Sequence, residues 1–290
     1  MDGTLERGPV RYREALAGSY NLAAVHVLER VGVHRLIERL REAGLGPLKG
    51  TDKDYGLQLA LGSAKVRLVN LAAAYGFLAR NGRVTTPRNV VSVRRHDGTV
   101  WRPDPGPDRQ LFEARTAWQV MDMLADPEAR RPMFGQELPF DLPFRVAAKT
   151  GTSRGFADTV AVGVTRELTV AAWAGNFDGR PNHGLQAMSA AAPLVRDGLL
   201  IAGGGAPLTL PPAPQGIVKL PICPLSGMAV GPHCAHAKLE YFSERTLPRA
   251  PCTWHRNENG HTVAALPKEI RGWVAGRRPL TGGFGRPVGL

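Results

Sequence analysis

Between residues 145 and 175 the apolar period of the chain drops from 3.6 to 2, and that change constrains the fold more than any other feature. "RVAAKTGTS", "DTVAVGVT" and "LTVAAWAGN" alternate and are separated by short polar loops, so they read as three strands of an antiparallel meander. The flanks keep helical spacing. "SYNLAAVHVLERVG" (19–32) starts a helix with Asn21 at the cap and Leu22, Val25 and Leu28 on one face. "GVHRLIERLREAGLG" repeats the pattern through Val33, Leu36, Ile37 and Leu40 and ends at Gly44. Further helices fit 65–80, stopped by Asn81-Gly82, and 113–125 through Ala117, Val120, Met121 and Leu124. "NVVSVRRHDGTVWRP" reads as a hairpin around Asp97-Gly98, and "GLQAMSAAAPLVRDGLLIA" as a closing apolar helix. The pattern is α+β.

Lys149-Thr150-Gly151-Thr152 lies on the first strand of the meander. Residues two apart on a strand share a face, so Lys149 and Gly151 face one way, Thr150 and Thr152 the other. A strand-borne ammonium can steady a carboxylate or tune the proton of a nearby hydroxyl, and a glycine beside it lets a ligand approach the backbone. An edge strand can also pair with an extended peptide. Alone, Lys-Thr-Gly equally describes a strand end with a solvated lysine. Ser19-Tyr20-Asn21, far upstream, is a Ser-x-Asn at a helix start, where capping explains the same residues. Found together, the two are signatures of serine acyltransferases that act on D-alanyl peptides or β-lactams, whose third signature is a Ser-x-x-Lys carrying the nucleophile.

Charge and targeting exclude little but guide the choice of partner. The net charge is +12, from 37 Lys+Arg against 25 Asp+Glu. The basic residues come as scattered pairs such as Arg94-Arg95, Arg130-Arg131 and Arg277-Arg278, with no basic helix or aromatic-interleaved tract, which argues against nucleic acid. An anionic surface such as cell wall or lipid headgroups remains compatible with the balance. No run approaches the ~18 apolar residues of a membrane helix, and "MDGTLERGPV" lacks the basic start and apolar stretch of a signal peptide.

The last quarter has a different composition. "GGGAPLTLPPAPQG" (203–216) holds four prolines within 206–216, suited to a stiff linker. Beyond it Cys223, Cys234, Cys252 and His255 run Cys-x10-Cys-x17-Cys-x2-His. A Cys3His set suits tetrahedral zinc. One disulfide plus a leftover thiol fits the same residues, and His233 and His236 are rival ligands.

Long blocks now carry a resemblance. "GPVRYREALAGSYNLAAVHVLERVG", "YGLQLALGSAKVRLVNLAAAYGFLARNGR" and "AAKTGTSRGFADTVAVGVTRELTVAAWAGNFDGR" resemble consecutive blocks of the transpeptidase domain of class A penicillin-binding proteins. "LPICPLSGMAVGPHC…PCTWHR" is similar to the tail module of the penicillin-binding protein 1C subgroup. The resemblance covers roughly residues 3–272 in family order. It implies a penicillin-binding protein/β-lactamase-like transpeptidase fold, an antiparallel sheet flanked by helices, lacking its N-terminal part and followed by a small β-rich module. The expected domains are 1–203 (transpeptidase), 204–216 (linker) and 217–290 (tail module).

By the same resemblance, Ser19 relays protons, Asn21 contacts a substrate amide, and Lys149 supports the hydroxyl network. Thr150 and Thr152 contact the substrate carboxylate, with Gly151 between them, and the Thr152 N–H forms half of the oxyanion hole. The implied function is D,D-transpeptidation in peptidoglycan biosynthesis with penicillin binding, on D-Ala-D-Ala stem peptides and β-lactams, alongside other cell-wall synthesis proteins. No cofactor is implied for the transpeptidase; for the tail, the residues themselves leave a structural zinc and a disulfide both open. Full-length relatives also carry a glycosyltransferase domain and a membrane anchor and work at the periplasmic side of the inner membrane.

None of the seven serines (Ser19, Ser63, Ser92, Ser153, Ser189, Ser226, Ser243) has lysine three residues on. The chain therefore reads as the C-terminal part of such an enzyme, inactive by itself, its sheet deprived of strands and exposing an apolar face. The alternatives are a non-catalytic wall- or partner-binding remnant and a β-lactamase or D,D-carboxypeptidase. Losing a nucleophilic serine costs about 10^6-fold in serine proteases. The 290-residue chain incubated with a labelled penicillin is accordingly expected to form no covalent adduct; a stoichiometric acyl adduct by intact mass spectrometry is the opposing result.

Overall fold

The computed structural model describes residues 7–104, 106, 108–182 and 184–275. Residues 276–290, the last part of the module expected over 217–290, lie outside them. The chain divides into two units, Arg13–Pro214 and a second one whose described residues are 7–12 and 215–275.

In the first unit the meander is present with its full register. β5 (Ala147–Thr152), β6 (Asp158–Val164) and β7 (Thr169–Gly175) form a three-stranded antiparallel sheet in the order β5-β6-β7. Lys149 lies opposite Val162, Thr150 opposite Ala161 and Thr152 opposite Thr159. Alternation sorts the side chains into two cores. Ala148 and Ala161 join Val195 and Leu199 of α8 (Ala191–Ala202) on one face. Ala147, Val162 and Val164 join Leu78, Met121 and Leu124 on the other, where α5 (Leu68–Tyr75) and α6 (Ala114–Leu124) pack. The expected bare apolar face is thus not found: helices cover both faces of the sheet, and β7 is half-buried along its length. Gly163 makes the fit against α8 possible, because a Cβ there would meet Val195 Cγ1 at 2.8 Å.

Four helices precede the sheet's partners. α1 spans Tyr12–Ala17, α2 Asn21–Val31, α3 Val33–Glu42 and α4 Asp52–Tyr55, which runs into a 3-10 turn over Gly56–Leu61. Leu28, Ile37 and Leu59 form a small core of their own. Two expectations shift here. The cap of α2 is Tyr20, with no side-chain cap bond, and Asn21 is the first helical residue. The helix expected over 65–80 is only Leu68–Tyr75, because Gly76 takes the C-cap and the following residues turn. The hairpin around Asp97-Gly98 is reduced to two residue pairs, β2 (Val93–Arg94) with β3 (Val100–Trp101), all four residues exposed. β1 (Arg83–Thr85) and β4 (Asp108–Gln110) pair across it. α7 (Pro127–Phe134) begins at Asp126, whose side chain accepts from Ala129 N at 3.1 Å, with Pro127 next in line.

The second unit is built from hairpins. β8 (Ile217–Ile222) pairs with β9 (Lys238–Ser243), and β10 (His255–Glu258) with β11 (His261–Ala264); α9 (Lys268–Ala275) follows. Asn259 and Gly260, with φ of 53° and 83°, close β10 onto β11 in the two-residue turn that strand twist favours. Arg11 reaches Glu240 of β9 at 3.7 Å.

One buried ion cluster ties the first unit together. Arg13 of α1 donates to Asp122 Oδ2 at 2.8 Å and to Asp126 Oδ2 at 3.3 Å, while Arg145, just before β5, donates to Asp122 Oδ1 at 3.0 Å. Asp122 is 4% exposed and Arg13 8%. Removing one partner of a buried pair leaves an uncompensated charge and costs about 3–5 kcal/mol. Asp122→Ala is expected to destabilise this unit by that order in urea denaturation; a loss below about 1 kcal/mol, the surface-pair value, would show the cluster to be dispensable.

Candidate active site

Ser19 reaches its position through the end of α1. Gly18 N donates to Glu14 O and Tyr20 N to Ala15 O, both at 2.9 Å, which turns the chain out of the helix. Ser19 sits at the turn with φ of 56°, left-handed backbone that a residue bearing a Cβ adopts rarely and that clusters at functional sites. Its Oγ accepts from Lys149 Nζ at 2.6 Å, across 130 residues of sequence. Lys149 also donates to Thr150 O at 2.7 Å. An ammonium has three donors, so one N–H is left for a ligand.

The lysine is strongly perturbed. Burial lowers its pKa from 10.5 to about 8, and the Arg130 guanidinium on α7 pushes the same way. Arg130 is 3% exposed, lies 5.4 Å from the centre of the Phe140 ring, and donates to Leu124 O. Arg130, Phe134, Phe140, Lys149, Thr150 and Met188 line a small cavity behind β5. Sequence reading missed Arg130 because Pro127 and Pro132 break the apolar pattern of α7; the Asp126-Pro127 start signal was there to be used.

The other expected residues stand as follows. Gly151 is exposed, and a Cβ built on it would meet nothing within 4 Å, so the space before this strand is open. Thr152 is exposed; its Oγ1 accepts from Ala187 N at 3.2 Å and keeps its own proton to donate. Asn21 is exposed in the first turn of α2, two residues from Ser19. Lys149 and Ser19 are thus in direct contact, with Thr150, Gly151 and Thr152 continuing along β5. In the second unit the Sγ atoms of Cys223, Cys234 and Cys252 and the ring nitrogen of His255 lie within 4.8 Å of one another, and all three thiols are unbridged. His233 and His236 are exposed and stand outside that group.

Comparison with known proteins bears on the family of the chain. The family model described as penicillin binding protein transpeptidase domain matches residues 3–190, and that described as penicillin-binding protein 1A, C-terminal domain matches 213–257. Penicillin-binding protein 1C of Escherichia coli (strain K12) is 34% identical over 217 residues, 74% of this chain and 26% of its own length. Penicillin-binding protein 2D of Bacillus subtilis (strain 168) is 26% identical over 257 residues, 87% of this chain and 36% of its own. The chain therefore spans only 26% and 36% of the length of these two relatives. The crystal structure of penicillin-binding protein 1A from Haemophilus influenzae superposes with a TM-score of 0.70 at 19% identity, covering 84% of this chain and 41% of that one, which is a likeness of fold.

The depressed lysine has a measurable consequence. Below pH 8 Lys149 is charged in both folded and unfolded chains, so the native state bears the full cost of burying the charge. Between about 8 and 10.5 the folded chain releases the proton first, and the cost is relieved as pH rises. Lys149→Met, which has no such cost, is expected to lose ground to the parent by on the order of 2 kcal/mol when denaturation is compared at pH 7 and pH 10. A difference independent of pH would contradict the shift.

Proposed function

The chain belongs to the penicillin-binding protein transpeptidase family, and on that premise we propose that its first unit forms one wall of a serine acyl-transfer cleft for D-alanyl-D-alanine peptides. The observation that carries the proposal is the 2.6 Å contact between Lys149 Nζ and Ser19 Oγ. A lysine with pKa near 8 has an appreciable neutral fraction near neutrality. In that form it accepts a proton from the Ser19 hydroxyl; in its charged form it returns one. Ser19 is then the relay that carries a proton from an attacking nucleophile to the leaving amine. Burial and Arg130 set the pKa where both forms are accessible.

β5 supplies the binding surface. The open front of Gly151 admits an extended peptide close to the backbone, and Thr150 and Thr152 offer hydroxyl donors to its terminal carboxylate. Asn21 is exposed two residues from Ser19, which supports its reading as the contact for a substrate amide. In the parent reaction the carbonyl carbon of the penultimate D-alanine is transferred to a serine with loss of D-alanine. An acceptor amine or water then takes the acyl group. The nucleophile is not among the seven serines in a Ser-x-x-Lys setting, so the chemistry needs a Ser-x-x-Lys segment besides these residues. The open front of Gly151 also fits a second reading, in which the cleft binds wall peptide without acyl transfer.

The two readings part in one experiment. The 290-residue chain is mixed with a separately expressed Ser-x-x-Lys segment from the transpeptidase domain of Escherichia coli penicillin-binding protein 1C, or fused to it. Acylation by a fluorescent penicillin is then measured. Acylation that falls at least about 100-fold in Ser19→Ala and in Lys149→Ala, a typical acid–base contribution, is the expected result. A correctly assembled fusion that binds β-lactam without forming an adduct supports the binding reading instead.

A further inference from the structure

We propose that Cys223, Cys234, Cys252 and His255 form a closed tetrahedral Zn2+ site that holds the second unit together. The distances are specific. His255 Nδ1 stands 3.6 Å from Cys223 Sγ, 3.5 Å from Cys234 Sγ and 3.4 Å from Cys252 Sγ. A ring nitrogen has one lone pair or one proton and satisfies one sulfur, not three. A single zinc centre explains all three contacts at once: with Zn–S of about 2.3 Å and Zn–N of about 2.0–2.1 Å at the tetrahedral angle, each sulfur lies about 3.6 Å from the nitrogen.

The surroundings fit bound thiolates. Gly231 N donates to Cys234 Sγ and Ser226 Oγ to Cys252 Sγ, each at 3.3 Å. Such outer donors orient sulfur ligands and stabilise their charge. Cys223 is fully buried and Cys252 is 6% exposed, so the donor set is protected from water on one side. The backbone is drawn in tightly: Cys252 N donates to Ala229 O at 2.8 Å, and a Cβ on Gly231 would meet Cys252 O at 2.7 Å. Four donors leave no open position for a substrate, so the role is structural.

The unit has a reason to need a staple. Its two sheets are two-stranded hairpins, and beyond the two buried ligand cysteines Ile222 is its one apolar side chain in the buried class among the described residues. Small folds with so little core rely on metals or disulfides. The ligands come from the end of β8 (Cys223), the segment before β9 (Cys234) and the lead into β10 (Cys252, His255). Zinc binding thus cross-links three chain segments. Binding displaces the thiol protons and leaves the site with one net negative charge from three thiolates, a neutral imidazole and Zn2+.

The test uses the full chain, expressed with zinc in the medium and purified reduced, without chelator or His-tag. Elemental analysis is expected to give one zinc per chain. Three thiols are expected to become alkylated only after denaturation with a chelator. His233→Ala and His236→Ala should retain the metal, whereas Cys234→Ser and His255→Ala should fall well below one equivalent. Because ligand variants can misfold, the parent is also reconstituted with Co2+, where thiolate-to-metal charge transfer and intense tetrahedral d–d bands are expected. Zinc well under stoichiometric in folded, reduced protein overturns the proposal, as does an intramolecular disulfide that persists without loss of fold, or an octahedral Co2+ spectrum.

Discussion

The placement of Ser19 depends on the ion pair between Arg13 and Asp122. α1 is six residues long, and so short a helix has little stability of its own. What fixes it is a guanidinium shared between Asp122 on α6 and Asp126 at the start of α7. Asp122 in turn holds Arg145, at the entry to β5. One carboxylate therefore couples the helix that delivers Ser19 to the strand that delivers Lys149. Buried pairs of this kind add little net stability compared with apolar packing, but they tolerate few alternative geometries.

Around that anchor the sheet register does the sorting. In β5 the odd positions Ala147, Lys149 and Gly151 look toward α1 and α6, and the even positions Ala148, Thr150 and Thr152 toward the α8 side. Apolar residues at the buried end of the strand give way to polar ones at the exposed end, so the same alternation that packs the core presents the site. Lys149 lies at the transition. Its charge is costly there, and the cost is reflected in its lowered pKa.

The strands of the meander were legible because a period of 2 sustained over seven residues fits a strand and no helix, and both β6 and β7 have that length. The helices over 21–31, 33–42 and 114–124 were legible for the matching reason. The short elements were not. β1 and β4 are three residues each and pair across 25 positions, which no local pattern encodes. The cap of α2 was misassigned because Ser19 and Asn21 both suit capping chemistry, while the chain uses left-handed backbone at Ser19 and sets Tyr20 at the boundary. The Asn259-Gly260 turn escaped sequence reading although its dipeptide is a strong hairpin signal.

By itself the sequence determined the family, the strand that carries Lys149 to Thr152, and the four residues whose types suit zinc, because residue chemistry and period are local properties. It also determined that no serine here is followed by lysine at the third position. Tertiary structure alone decided that Ser19 and Lys149 touch, that Arg130 shares their environment, and that the ligand atoms of the three cysteines and His255 meet within 4.8 Å of one another. Those are distances between residues far apart in the chain. They are set by the buried Arg13–Asp122 pair, the register of β5 on β6 and the close packing of Gly231 on Cys252, which no spacing along the sequence records.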